Sequence, residues 1–215
     1  MAETAIQANK LTKWFGEGEA RTRAVVEVSF EVAFGEMLYL VGPSGSGKTT
    51  LLRGLADLWP FVDGTVRRPL GGEAFFLAQQ PYVPLGTLRA GLTYPAAADT
   101  LADDRAAAVL RQVQLPHLAD RLDEETDWGR RLSPGEMQRL NFARVLLARP
   151  EVVFLDEATS AVDEGMEAAL YDLLRAELPD AILVSVGHRS TLSRFHSRQL
   201  ELVGEGAWEI STPRR

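Results

Sequence analysis

The chain has 215 residues, 46% of them hydrophobic and 25% charged, with 23 Lys and Arg against 30 Asp and Glu and a formal net charge of -7. That composition is globular, the length fits one large domain or one domain with an inserted lobe, and the acidic balance argues against nucleic-acid binding through clustered Lys and Arg. The absence of cysteine excludes disulfides and thiolate metal sites, and the three histidines, His117, His188 and His196, are too scattered for a metal cluster. No apolar run approaches the roughly 18–20 residues that a membrane-spanning helix needs, and Met1-Ala2-Glu3-Thr4 lacks the basic and then apolar character of a signal peptide. Any membrane role is therefore expected to come through a partner.

Along the chain, Ala24 to Val32 partly alternates, as a half-solvated antiparallel strand does, and predicts an N-terminal β lobe. Met37 to Val41 is a nearly continuous apolar run, the pattern of a strand covered on both faces in a parallel sheet. Thr49 to Leu58 then carries helical spacing. From about Tyr82 to Arg131 the chain is rich in Ala, Asp and Arg and predicts a helical insertion, with a helix over Leu101 to Val113 that starts from Asp99 or Thr100. A helix over Glu136 to Ala148 follows, begun by Ser133 and Pro134, then a buried strand over Val152 to Leu155. A helix over Glu164 to Glu177 and a buried strand over Ala181 to Val186 complete the predicted elements. Strands alternating with helices predict an α/β fold with a mostly parallel sheet.

Directly after the strand ending at Val41 comes Gly42-Pro43-Ser44-Gly45-Ser46-Gly47-Lys48-Thr49-Thr50, which satisfies G-x-x-x-x-G-K-[ST] at a strand-to-helix junction. Glycines let backbone N–H groups close around phosphate oxygens, and the following helix N-terminus adds partial positive charge. Lys48 would reach the β- and γ-phosphates and the Thr49 hydroxyl would bind Mg²⁺. The strand Val152 to Leu155 ends in Asp156-Glu157. Asp156 fits the metal shell, and Glu157 fits a general base that orients the attacking water. These motifs place the chain among phosphate-loop NTPases.

Leu132-Ser133-Pro134-Gly135-Glu136 resembles the LSGGQ signature of ATP-binding-cassette (ABC) ATPases, with Pro134 in place of the first Gly and Glu136 in place of Gln. Ser133 is also a plausible N-cap, with Glu136 completing a capping box. The resemblance runs over roughly residues 9 to 205. It implies that Ser133 and Gly135 contact a γ-phosphate held by the opposite subunit of a head-to-tail, two-ATP homodimer. It also implies roles for Gln79 as the Q-loop glutamine touching Mg²⁺ and the attacking water, with Gln80 as the fallback. By the same resemblance Asp163, in Ser160-Ala161-Val162-Asp163, belongs to the D-loop, and His188 is the switch histidine contacting the γ-phosphate. Phe15, in Lys13-Trp14-Phe15-Gly16, is identified with the aromatic residue that stacks on adenine, and Trp14 is the alternative. His117 and His196 are read as surface or packing residues.

The domain division implied is a single ABC ATPase domain, with residues 1–78 and 150–215 forming the β lobe and RecA-like core and about 79–149 the helical subdomain. Residues about 60–205, with Phe76 to Arg89 and Leu92 to Pro95, resemble the branch of peroxisomal fatty-acyl-CoA and SbmA/BacA-like transporters. Residues about 9–50 resemble ATPases of lipoprotein and macrolide exporters, which suggests a mosaic joined near the phosphate loop. The function implied is a Mg-dependent ATPase subunit that drives transmembrane permease subunits outside this chain, peripheral to the cytoplasmic side of the membrane and without nucleic acid. A soluble ABC ATPase, or an engineered or degenerate cassette that binds ATP without coupled transport, is the alternative.

Overall fold

The structure is a computed structural model, and it describes residues 4–15, 22–59, 63–68, 74–98, 101–204 and 207–213. Its chain divides into two compact units, residues 1–76, 150–157 and 180–215 in the first and 77–149 and 158–179 in the second. The helical segment before residue 180 therefore groups with the second unit and not with the core.

In the first unit β1 (Thr4–Phe15) lies between β2 (Thr22–Ala33) and β4 (Asp63–Arg67) as an antiparallel three-stranded sheet. β2 alternates as expected, with Val28, Phe30 and Val32 buried and Glu27 and Glu31 exposed. A six-stranded sheet is built in the order β11 (Ala207–Ser211), β10 (Arg198–Gly204), β3 (Met37–Val41), β9 (Ile182–Val186), β8 (Val152–Asp156) and β5 (Ala74–Leu77). The pairs β10/β3, β3/β9 and β9/β8 are parallel, and β11 is antiparallel to β10. Every residue of β8 and β9 is buried, which is why both read as nearly continuous apolar runs. Leu38, Leu40, Phe154, Val184 and Leu200 of this sheet join Leu51, Leu52 and Leu55 of α1 (Lys48–Leu55) in one core with Val28 and Val32 of the antiparallel sheet. Helix α1 stops at Leu55, short of the predicted Leu58, because Asp57 turns into the left-handed region at φ 60°.

The second unit holds the short strands β6 (Gly86–Thr87) and β7 (Glu125–Thr126) and the helices α2 (Leu88–Thr93), α3 (Asp103–Gln112), α4 (Trp128–Arg131), α5 (Pro134–Ala148) and α6 (Glu164–Glu177). Helix α3 begins at Asp103, with Ala102 extended before it. The predicted starts Asp99 and Thr100 lie outside the described residues. Arg89 knits this unit together, donating to Asp123, to Asp103 and to the carbonyl of Leu101. Trp128 is fully buried, and its indole N–H donates to the carbonyl of Glu124 at 3.1 Å. Among the described residues, no helix is long and apolar enough to cross a membrane.

Candidate functional site

The chain leaves β3 at Val41 and enters α1 at Lys48 through a loop whose backbone is set by three glycines. Gly42, Gly45 and Gly47 all have positive φ, at 145°, 80° and 95°. A Cβ on Gly42 would fall 2.4 Å from the carbonyl oxygen of Leu202, and one on Gly47 would fall 2.4 Å from that of Ala24. At Gly45 there is open space beyond 4 Å, the side of the loop where a ligand oxygen has room to approach. Ser44 and Gly45 are exposed, while Lys48 is 94% covered, at 6% exposure.

The Lys48 ammonium donates to the carbonyls of Gly42 and Pro43 at 2.7 and 2.9 Å. Burial pulls its pKa down, and the carboxylates of Glu157 and Asp156 push the other way. The Thr49 hydroxyl donates to Asp156 Oδ1 at 2.8 Å, which joins the start of α1 to the end of β8. Asp156 is pushed up by burial, and the Thr49 hydroxyl and the charges of Arg53 and Lys48 restrain the shift. The buried Ser46 Oγ has no hydrogen-bond partner, an orphan polar atom of the kind that an anion or hydrated ligand satisfies.

Glu157, one residue past β8, sits in the left-handed region at φ 51°, with its N–H donated to the carbonyl of Val186 at 3.0 Å. A glutamate held there costs on the order of 1–2 kcal/mol, and it turns the carboxylate out of the sheet toward His188. His188 Nε2 lies 2.7 Å from Glu157 Oε1. The predicted residues Gly42 to Thr50, Asp156, Glu157 and His188 therefore all lie in the first unit, at or just beyond the C-terminal ends of β3, β8 and β9. That end of a parallel sheet is where ligands bind in open α/β folds. Phe15 ends β1, but its side chain lies outside the described residues, and Trp14 is partly buried.

The other predicted residues belong to the second unit. Gln79 is exposed on the turn after β5, as is Gln80. Ser133 caps α5, its Oγ accepting from the N–H of Glu136 at 3.3 Å while Glu136 Oε2 accepts from the N–H and the hydroxyl of Ser133 at 2.9 and 2.7 Å. Pro134 occupies the first helical position, where its missing N–H leaves no intrahelical bond unmade. A Cβ on Gly135 would lie 3.0 Å from the carbonyl oxygen of Ala161, so the 160–163 loop packs directly on the start of α5. Asp163 caps α6, accepting from the N–H of Met166 at 2.8 Å.

Two features escaped the sequence. His117, read as a bland surface residue, has Nε2 2.9 Å from Glu136 Oε1. Gln138 is 2% exposed and bonded to the carbonyl of Gln79, to Ser160 Oγ and to the N–H of Ala161. The available signal was polar residues on the apolar stretch of α5, at positions 138, 141 and 144. His196 does pack, stacked on Tyr39 with ring centroids 4.8 Å apart.

Burial pushes the Glu136 carboxyl up, but Ser133 and His117 outweigh it and hold its pKa below the usual range. A carboxyl depressed in the folded state stabilises at pH above its unfolded pKa of about 4.3, and that stability is lost as pH falls through the depressed value. Glu136→Gln should thus melt lower than the native chain at pH 7, and the gap should close as melts are repeated at falling pH through the carboxylate range. A gap that is independent of pH would mean the charge of Glu136 does not stabilise the cap.

A family model described as ABC transporter matches residues 25–160. An uncharacterized ABC transporter ATP-binding protein of Haemophilus influenzae is 49% identical over 176 residues, covering 82% of this chain and 30% of the relative. ABC transporter D family member 1 of Arabidopsis thaliana is 39% identical over 197 residues, with 86% and 15% covered. The lysosomal cobalamin transporter ABCD4 of Homo sapiens is 38% identical over 201 residues, with 86% and 33% covered. The chain spans a third or less of the length of these relatives.

Proposed function

Because this chain belongs to the ABC transporter family, through its ATP-binding domain, we propose that it binds and hydrolyses Mg-ATP to drive a membrane partner. The carrying observation is that Thr49–Asp156 and Glu157–His188, at 2.8 and 2.7 Å, stand at the same end of the sheet as the loop 42–48. The loop glycines and the N-terminus of α1 receive the phosphates. Lys48 exchanges its two carbonyl partners for phosphate oxygens, and its ammonium supplies the charge. Thr49 and Asp156 offer two hard oxygens 2.8 Å apart, the donor set that Mg²⁺ takes when phosphates and water complete its shell. The metal, when bound, neutralises charge that develops on the phosphate oxygens.

Glu157 accepts a proton from the attacking water, and His188 holds the carboxylate through its Nε2 and faces the γ-phosphate. By the family pattern Gln79 would serve the metal and the attacking water, and Phe15 would stack on adenine. Ser133, Gly135 and Asp163 complete the site across a head-to-tail homodimer, each protomer's α5 N-terminus serving the other's γ-phosphate. Within the second unit the exposed Tyr82, Leu85 and Tyr94, at 63%, 76% and 42%, offer an apolar surface to transmembrane permease subunits. In this reading the chain forms a single ABC ATPase domain with a β lobe, a RecA-like core and a helical subdomain, and it works at the cytoplasmic face of a membrane.

The test is Mg-ATP turnover as a function of protein concentration. Turnover that rises more steeply than protein supports the sandwich dimer, and ATP bound without phosphate release defeats the hydrolysis reading. Thr49→Ala should raise the Mg²⁺ concentration for half-maximal turnover at least about tenfold. An unchanged Mg²⁺ dependence would remove Thr49 from the metal site.

A further inference from the structure

Helix α5 carries three buried polar residues, Gln138, Asn141 and Arg144, among Leu140, Phe142, Ala143 and Val145. Arg144 keeps its partners within one neighbourhood, with Nε and Nη1 donating to the carbonyls of Gly91 and Tyr82 and to Asn141 Oδ1 and the buried Nη2 left without a partner. Burial pushes its guanidinium down to about 10.

Gln138 is different, because its partners lie in two loops far apart in sequence. Its Nε2 donates to the carbonyl of Gln79 at 3.1 Å and to Ser160 Oγ at 3.0 Å. Its Oε1 accepts the N–H of Ala161 at 2.9 Å. A carbonyl only accepts and a backbone N–H only donates, so Gln79 and Ala161 dictate which way the amide points. All four residues belong to the second unit. Glycine at 135 lets the carbonyl of Ala161 come this close, since a Cβ there would lie 3.0 Å from it.

We propose that Gln138 is a positioning residue that ties the backbone of the Gln79 loop to the 160–163 loop, so that both move as one piece with α5. The proposal rests on the ATPase reading above, in which the first loop faces the metal and the membrane partner and the second lines the dimer interface. Glutamine suits the place chemically. It offers two donor hydrogens on one atom and an acceptor on the other, at the end of a stem long enough to leave the helix. Glutamate would keep the bond from Ala161 but set a carboxylate oxygen against the carbonyl of Gln79. Methionine has the same length and makes none of the three bonds.

The experiment compares Gln138→Met, Gln138→Glu and Ser160→Ala in the full chain by nucleotide affinity, turnover at saturating Mg-ATP, melting temperature and amide exchange. We expect Gln138→Met to leave ATP affinity within about twofold while lowering turnover at least about tenfold. Exchange of the Ala161 amide should rise about tenfold or more, because its acceptor is gone. Gln138→Glu should lower turnover further while leaving that amide protected. Ser160→Ala, at an exposed position, deletes one of the three bonds and should cost about threefold to fivefold in turnover even where a Gln138 variant fails to fold. Added to Gln138→Met it should cost nothing more, since that bond is already absent.

Unchanged exchange at Ala161, or native turnover in Gln138→Met, would overturn the proposal. So would affinity and turnover falling together in step with the melting temperature, which marks a residue that only stabilises. A native chain without turnover would overturn the ATPase reading instead, and the exchange at Ala161 would then decide whether Gln138 makes the tie.

Discussion

Glu157→Gln is expected to lower Mg-ATP turnover about 10²–10⁴-fold, the span general-base catalysis contributes, while ATP binding is kept. The amide retains the shape of the carboxylate and can still meet His188, now as a hydrogen-bond partner without charge, but it cannot take a proton from water. Lys48 also loses one of the two carboxylates that hold up its pKa, a minor effect beside the phosphates it meets. Binding and chemistry should therefore separate. The variant should collect as an ATP-bound dimer in size exclusion with Mg-ATP, because the sandwich forms and is no longer resolved by hydrolysis. Single-turnover phosphate release together with nucleotide titration checks this. Release within threefold of the native chain would show that Glu157 is not the base, whatever its distance from His188.

Gly47→Ala is expected to abolish measurable ATP binding and to destabilise the chain by about 2–5 kcal/mol. About 1–2 kcal/mol comes from holding an L side chain at φ 95°. A further 1–3 kcal/mol is the cost of forcing a methyl group into packed surroundings, where it would sit 2.4 Å from the carbonyl of Ala24 and 3.1 Å from the Val25 side chain. Both contacts lie on β2, so the loop can relieve them only by moving off the antiparallel sheet, and that movement displaces Lys48. Gly45→Ala is the control. It has φ 80° but nothing within 4 Å of the added carbon, so it should bear the conformational cost alone. Urea unfolding of the two variants side by side measures the difference, and equal losses would show that the approach of Ala24 does not constrain the loop.

Much of this architecture was legible in the residues alone, and the reason is local. β3, β8 and β9 are almost wholly buried, so each appears as a nearly continuous apolar run, and the bounds expected from those runs shift by no more than a residue. Helix α6 carries its own start signal in Asp163, whose side chain accepts the N–H of Met166. The loop 42–49 is a single short segment whose spacing already contains its conformation. By contrast β10 buries only Leu200 and Leu202, β11 half-buries only Trp208 and Ile210, and both depend on pairing with β3 and with each other, so their sequences look like ordinary polar chain. The end of α1 moved because one residue, Asp57, takes a left-handed turn that no hydrophobic period announces.

At the candidate site the division is the same. The residue types and their order along the chain were set by the sequence, since glycine, lysine, threonine and paired acids each carry their chemistry in one short stretch. Their mutual geometry is a tertiary matter. Thr49 and Asp156 are 107 positions apart, Glu157 and His188 31 apart, and Gln138 and Gln79 59 apart. Sheet register decides the first two pairs, because parallel strands β3, β9 and β8 end together and leave their following residues side by side. Helix burial decides the third. A glutamine on an exposed helix would bond water, and only packing of α5 among its neighbours removes that option and leaves the two loops as its partners.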